Sequence, residues 1–165
     1  MRLSPVVLVL GLATSSLTAP IWAQAGGKAR QANPTSVELV KQGEALLAEG
    51  KLVEADDALE AALIADPAND DAFVAMARVS IRQQLYGEAI RMTRKALTID
   101  PTDREALLVQ GEALVELGAL PRARANLARL QELCGADCNQ TQQLAARIEK
   151  GPMMAAAQKP ATAKN

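Results

Sequence analysis

The chain has 165 residues, enough for one domain, and its 18 basic and 19 acidic side chains give a net charge of −1. This balance argues against binding to nucleic-acid phosphates, which requires a concentrated basic patch. No histidine is present, so the commonest general base and metal ligand is missing. Aromatic residues make up only 2% of the chain, and the abundance of alanine and leucine favours thin, closely packed helices.

The first 25 residues have the pattern of a secretory signal peptide. Arg2 gives a short basic start, an apolar run covers residues 6–12, and Ala23-Gln24-Ala25 forms an A-x-A cleavage site. The apolar run is too short to cross roughly 30 Å of hydrocarbon, so we expect cleavage at the end of 1–25 and no stable membrane insertion afterwards. The style of the signal indicates a bacterial chain exported to the periplasm, with secretion as the alternative, and residues 26–35 read as a flexible linker.

A 34-residue period follows, because rows that start at Ser36, Asp70 and Arg104 align apolar or small residues. The aligned columns include Leu39, Phe73 and Leu107; Gly43, Ala77 and Gly111; and Ala55, Ala89 and Ala123. Apolar spacing within each row is helical, and Gly50, Gln84 and Gly118 divide the rows at one equivalent place. Each row therefore predicts two antiparallel helices joined by a short turn, giving repeats at about 36–69, 70–103 and 104–137.

Start signals support these helices. Thr35 with Glu38, and Thr102 with Glu105, have the spacing of a capping box. Pro121 fits the first turn of its helix, where a missing N–H leaves no bond unmade.

The pentapeptide QGEAL occurs at 42–46 and again at 110–114, and it places Gly43 and Gly111 inside predicted helices. Glycine inside a helix costs about 1 kcal/mol relative to alanine, so a compensating contact is expected. Small residues also stand on the second helix of each repeat. We therefore predict that the two helices of a repeat approach closely at both glycines.

The order of small, Leu or aromatic, Gly, Ala, Ala-Leu and Asp-Pro positions, with "ALIADP" at 62–67 and "ALTIDP" at 96–101, resembles the tetratricopeptide repeat (TPR). The resemblance implies an all-α fold, a right-handed α-solenoid of three helix hairpins within a domain at 36–150. It also implies a concave groove, lined by the first helix of each hairpin, that binds a polypeptide. The sequence departs from the family at Gly135, where the third repeat lacks its terminal proline, and at the first-helix tryptophan column.

Candidate groove residues lie on the first helices, in a second apolar stripe with charged residues beside it. They are Val40, Val74 and Leu108; Leu47, Ile81 and Val115; Glu44, Arg78 and Glu112; and Arg82. The stripe either forms the floor of a partner-binding groove or packs between neighbouring repeats. Arg78 and Arg82 either hold a carboxylate of the partner or are neutralised by Glu44 and Glu112. The TPR class that binds chaperone C-terminal carboxylates has Lys and Asn where this chain has Val40, Glu44 and Val74, so that activity is not expected.

The end of the chain predicts a capping helix at 139–150, with Leu144 and Ile148 facing inward, and then a disordered tail at 151–165.

Cys134 and Cys138 are the two cysteines. In an exported chain they favour a disulfide, with Gly135 ending one helix and Asp137 capping the next. A redox pair, a metal site and free thiols are the alternatives, although two thiolates alone leave zinc under-coordinated.

No phosphate-binding glycine loop or nucleophile elbow occurs, so we predict no enzyme activity and no cofactor. The sequence favours a cell-envelope adaptor or scaffold that binds a protein or peptide of unknown identity. The alternative is a self-assembling repeat protein whose stacks are the functional unit. A small-molecule binding module is a third hypothesis, and it requires a pocket of ~300 Å³ or more.

Overall fold

The computed structural model describes residues 31–152, so the predicted signal peptide, residues 26–30 of the predicted linker and 153–165 of the predicted tail lie outside the described residues. The described part contains helices and no strand, which confirms the all-α prediction. Its helices are α1 (Pro34–Ala48), α2 (Leu52–Ala65), α3 (Asp70–Arg82), α4 (Tyr86–Ile99), α5 (Arg104–Glu116), α6 (Leu120–Cys134) and α7 (Asn139–Lys150). They pack as the hairpins α1–α2, α3–α4 and α5–α6, with α7 against α5 and α6.

The turn inside each hairpin has the same backbone conformation. Gly50, Gln84 and Gly118 have φ angles of 79°, 63° and 71°, the left-handed region that glycine adopts most easily. The next amide donates back to the preceding helix, as in the 2.9 Å bond from Lys51 N to Leu46 O, which is the Schellman arrangement of a helix end. The middle repeat therefore forms the same turn with Gln84 in place of glycine.

The helix starts differ from the prediction. Helix α1 begins at Pro34, inside the predicted linker, and the Asn33 side chain accepts a 2.9 Å bond from Thr35 N. At α5 the Asp103 carboxylate accepts from Glu105 N at 2.8 Å. The predicted capping boxes are wrong, because Asn33 and Asp103 hold the N-cap positions in place of Thr35 and Thr102 and bind the free N–H groups.

Other predicted helix ends have mixed outcomes. Pro121 lies in the first turn of α6, as predicted. Gly135 ends that helix with a φ of 85°, also as predicted. Asp137 does not cap α7, because Cys138 occupies the N-cap position and makes no capping side-chain bond.

The first of the two Asp-Pro motifs lies in a turn that is tied to the start of α1 by hydrogen bonds. Asp66 is buried and its carboxylate accepts from Asn33 N at 3.0 Å. Nearby, Ser36 Oγ donates to Ala62 O and accepts from Asn69 Nδ2, both at 2.8 Å. Buried polar groups are costly unless they are paired in this way, so Asp66, Ser36 and Asn69 have a structural role where the turn after α2 meets α1.

The two QGEAL glycines accept different neighbours. A Cβ on Gly43 would lie 2.6 Å from Leu59 Cγ, on α2 of the same hairpin. A Cβ on Gly111 would lie 2.6 Å from both δ carbons of Leu144, on α7. The predicted close approach within the hairpin is confirmed at Gly43, where a Cβ would also lie 3.3 Å from Ala55 O, whereas the atoms nearest to Gly111 belong to the capping helix.

Neighbouring hairpins are joined by small and apolar residues on one face of each following first helix. On α3 these are Ala72, Ala75, Met76 and Val79, which share an apolar cluster with α1 and α2. The same positions of α5 include the buried Ala106, Val109 and Ala113. One period earlier, α1 has exposed Glu38, Lys41, Gln42 and Ala45. This outward face of α1 is therefore mostly polar, and at the other end α7 covers α5 with the fully buried Leu144 and the partly buried Ile148, as predicted.

Candidate partner-binding groove

Three of the predicted groove residues are covered by the first helix of the following repeat or by the capping helix. Val40, Val74 and Leu108 have relative exposures of 6%, 5% and 3%. Val40 shares an apolar cluster with α3 residues, Val74 with α5 residues, and Leu108 with Leu144 of α7. This is the packing of the alternative interpretation, in which the stripe joins neighbouring repeats, so these side chains do not form an open floor.

Another part of the predicted set meets at one pocket. Leu47 of α1, Ile81 and the two arginines of α3, and Glu112 of α5 line a cavity of about 210 Å³. Val115, the third member of the Leu47 column, is fully buried in the core. The cavity is smaller than the 300–1,000 Å³ typical of sites for small molecules and has room for about one aliphatic side chain.

We call the surface that carries this pocket the groove face, defined by Glu44, Leu47, Arg78, Ile81, Arg82 and Glu112. Its two residues from α1 differ in exposure, since Leu47 is buried and Glu44 is exposed. Both lie on the first helices, one turn or less from the pocket. Apolar side chains with charged neighbours give a surface suited to a polypeptide segment rather than to a compact ligand.

Arg78 has a partner that the sequence did not reveal. It forms an ion pair with Glu105, in the first turn of α5, and neither Glu44 nor Glu112 takes that place. The second carboxylate oxygen of Glu105 accepts a 3.2 Å bond from Gln140 Nε2 on α7. The sequence spacing could have indicated Glu105 as a partner of Arg78, because Glu105 and Glu112 are seven residues apart and share one face of α5.

Glu112 lies among several charges and is partly buried. Burial raises the pKa of its carboxyl group above the usual value for glutamate; Arg78 acts in the opposite direction, Glu105 in the same direction, and Arg147 again in the opposite one. Arg147 comes from α7 and forms an ion pair with Glu116, whose side chain is only 2% exposed. The capping helix therefore supplies polar groups next to the groove face.

Arg82 differs from Arg78 in having no such partner. It is exposed in the last turn of α3 and, among residues 31–152, it makes no ion pair or side-chain hydrogen bond. A cation is favoured at this end of a helix by the helix dipole. Its guanidinium group is thus available at the rim of the pocket.

Cys134 and Cys138 lie side by side where α6 ends and α7 begins. Their Cα atoms are 5.7 Å apart, within the range that a disulfide spans. Within the described range, no group of three or more His, Cys, Asp or Glu side chains is arranged to hold a metal ion. None of the helices in that range is long and apolar enough to cross a membrane.

No protein-family model and no curated protein matches the sequence. The fold is similar to several solved structures. One is the second TPR domain of human RPAP3 in complex with the HSP70 peptide SGPTIEEVD, at 23% identity over 70% of this chain and 95% of that chain, with a TM-score of 0.62. Another is the Yersinia enterocolitica type III secretion chaperone SycD in complex with a peptide of the translocator YopD, at 20% identity over 72% and 89%, with a TM-score of 0.61.

A third solved structure is the Sgt2 TPR domain from Aspergillus fumigatus, at 22% identity over 72% of this chain and 80% of that chain, with a TM-score of 0.65. At identities of this size a structural similarity concerns the fold, and what each neighbour binds is a property of that neighbour.

Proposed function

We propose that this chain, which has the tetratricopeptide-repeat fold, is a non-enzymatic adaptor that binds a partner polypeptide on its groove face. The observation that carries the proposal is the pocket where Leu47 and Ile81 meet Arg82, which has no ion pair within residues 31–152. The RPAP3 and SycD structures, which share the fold, are complexes with peptides. The chain acts by holding or presenting another protein.

The polar outward face of α1 supports an adaptor over the alternative of self-assembly. Stacking of another hairpin on α1 would cover Glu38, Lys41 and Gln42, which stand where α3 has buried Ala72, Ala75 and Met76. Glu38 and Lys41 form an exposed ion pair, and removing such a pair from water costs more than its attraction commonly returns. We expect a monomer across protein concentration in sedimentation experiments, and assembly that grows with concentration would favour the alternative.

We further propose that the adaptor works in the cell envelope, with the periplasm as the first choice and the extracellular medium as the second. The A-x-A site at Ala23-Gln24-Ala25 supports export. A disulfide between Cys134 and Cys138 fits an oxidising compartment. Protein recovered from the producing cell should begin at Gly26 and should take up a thiol-alkylating reagent only after reduction; an N-terminus at Met1 with two free thiols would contradict both proposals.

A pair of crosslinking sites tests the adaptor function. Val74 is too buried for this purpose, so we choose the exposed Glu44 on the groove face and, as the matched control, the exposed Glu60 on α2. A photo-crosslinking residue at Glu44 should capture one main polypeptide in the producing cell, and the same residue at Glu60 should not. Equal capture from both sites, or capture only of copies of this chain, would contradict the proposal.

A further inference from the structure

The two arginines of the pocket carry different electrostatic roles, and this difference points to the chemistry of the partner. We propose that the bound segment of the partner places one aliphatic side chain in the pocket and one Asp or Glu side chain, about a helical turn away, on Arg82. The inference rests on the proposed function, since it names the kind of polypeptide that the groove face accepts.

The aliphatic side chain follows from the pocket itself. Leu47 and Ile81 supply apolar walls to a cavity of about 210 Å³. An aliphatic side chain that enters this space leaves water and covers both walls, which is favourable. The other residues that line the pocket, Arg78, Arg82 and Glu112, are charged, so we expect the aliphatic side chain to lie against Leu47 and Ile81.

The carboxylate follows from the charges around the pocket. Arg78 is committed to Glu105, which also accepts from Gln140 on α7. A partner that bound Arg78 would have to compete with Glu105 for it, whereas binding to Arg82 breaks no ion pair among the described residues. Arg82, by contrast, is exposed and without an ion pair among the described residues, and arginine binds a carboxylate through two parallel hydrogen bonds.

The neighbouring acidic groups limit the partner to a single carboxylate at this place. Glu112 lines the same pocket and the exposed Glu44 stands one turn before Leu47 on α1. Both repel a second negative charge on the ligand. We therefore expect a side-chain carboxylate within an internal segment, next to an aliphatic residue, and not a run of acidic residues.

A peptide library with a charge reversal tests this inference. The probe is a phage-displayed library of random 16-residue peptides with no free C-terminus, selected on the purified wild-type protein, on Arg82→Glu and on Arg94→Glu. Arg94 is an exposed arginine on α4 that makes no side-chain ion pair among the described residues. It controls for the change in net charge.

The expected result is a change of sign at one position. Wild-type protein and Arg94→Glu should enrich peptides with Asp or Glu within about four residues of Leu, Ile or Met, since that spacing is one helical turn. Arg82→Glu should enrich Lys or Arg at that place. It should bind the wild-type peptides at least about tenfold more weakly, because like charges then face each other.

Three results would overturn the inference: no enrichment on the wild-type protein, enrichment without an acidic residue, or the same acidic peptides on Arg82→Glu. None of these would decide the proposed function, which depends on capture from Glu44. Capture of a polypeptide together with a negative library would keep the adaptor and reject the partner chemistry. A gain of basic peptides on Arg82→Glu is a positive signal, so misfolding of the variant cannot produce it.

Discussion

The first and third repeats contain the same pentapeptide, QGEAL, and use it for different contacts. In the first repeat Gly43 lies against Leu59 and the Ala55 carbonyl of its own hairpin. In the third repeat Gly111 lies against Leu144, which belongs to α7 and lies 33 residues further along the chain. Both contacts would be blocked by a Cβ, yet they stabilise different parts of the molecule.

The comparison shows that the repeated motif determines where a space lies on the first helix. It does not determine which side chain fills that space. Each glycine creates a space on a first helix, and the nearest large apolar side chain fills it. The first repeat offers the fully buried Leu59, whereas the equivalent Leu127 of the third repeat is only partly buried. The capping helix therefore fills the space in the last repeat, which has no following hairpin in the described chain.

The largest expected effect comes from removal of the side chains that fill the two spaces. Leu59→Ala and Leu144→Ala should each lower the free energy of unfolding by about 2–5 kcal/mol, because both side chains are fully buried. Adding Gly43→Ala to the first variant, or Gly111→Ala to the second, should cost little more, since the new methyl enters the space that was vacated. Urea denaturation of the single and double variants measures this coupling.

The crossed double variants are the controls. Gly43→Ala with Leu144→Ala, and Gly111→Ala with Leu59→Ala, should show additive losses, because these residues contact different partners. If Gly111→Ala coupled to Leu59→Ala and not to Leu144→Ala, the assignment of α7 as the partner of Gly111 would be wrong.

The single glycine substitutions come next in size. Gly43→Ala and Gly111→Ala should each cost about 1–3 kcal/mol through overpacking, reduced by up to about 1 kcal/mol of gained helix propensity. Amide hydrogen exchange should locate the losses differently. Exchange should rise in α1 and α2 for Gly43→Ala but in α7 for Gly111→Ala, and the same exchange pattern in both variants would remove the distinction between the repeats.

The cysteine pair sharpens the comparison, because the proposed bond between Cys134 and Cys138 would hold the start of α7, whereas α2 follows α1 through a short turn. Replacing both cysteines with serine should lower stability by about 2 kcal/mol or less, since the closed loop is short. The loss should appear as faster exchange in α7, with α1 and α2 unchanged. Wild-type protein treated with a reductant should behave like the double variant, and an unchanged rate in α7 would argue against the proposed bond.

The smallest effect concerns the middle repeat. It has no glycine at the position of Gly43 and Gly111, and none at the turn position of Gly50 and Gly118. Gln84 has a φ of 63° where the outer repeats have Gly50 and Gly118. Gln84→Gly should raise stability by about 1 kcal/mol, because a left-handed backbone is unfavourable for residues with a Cβ. Gln83→Gly is the matched control, since Gln83 has an ordinary φ of −83°, and it should not stabilise the protein; thermal unfolding measures both.

The repeat period allowed most of the fold to be predicted. Alignment of Ala55, Ala89 and Ala123 gave the hairpins, and the inward spacing of Leu144 and Ile148 gave the last helix at Asn139–Lys150. The helix starts were less predictable, because Asn33 and Asp103 lie close to threonines with capping-box spacing and cap the helices in their place. Such competition depends on backbone angles that spacing alone does not define.

The groove face was only partly predictable. Leu47, Ile81 and Arg82 line the pocket as the helical spacing suggested, but the same spacing did not separate them from the buried Val40, Val74 and Leu108. The partner of Arg78 was missed because Glu105 is 27 residues away and meets it only through the stacking of α3 on α5. Periodicity thus indicates which face of a helix a residue shares, whereas the depth of burial on that face depends on the neighbouring repeat.

The central claim is that a polypeptide binds on the groove face, and isoleucine methyl signals test it most directly. Ile81 lines the pocket, whereas Ile64 and Ile99 are exposed on α2 and α4. When the polypeptide captured from Glu44 is added to protein with labelled isoleucine methyl groups, the NMR signal of Ile81 should shift most and those of Ile64 and Ile99 should stay in place. Shifts at Ile64 and Ile99 with an unmoved Ile81 would place the partner on the second helices and contradict the account.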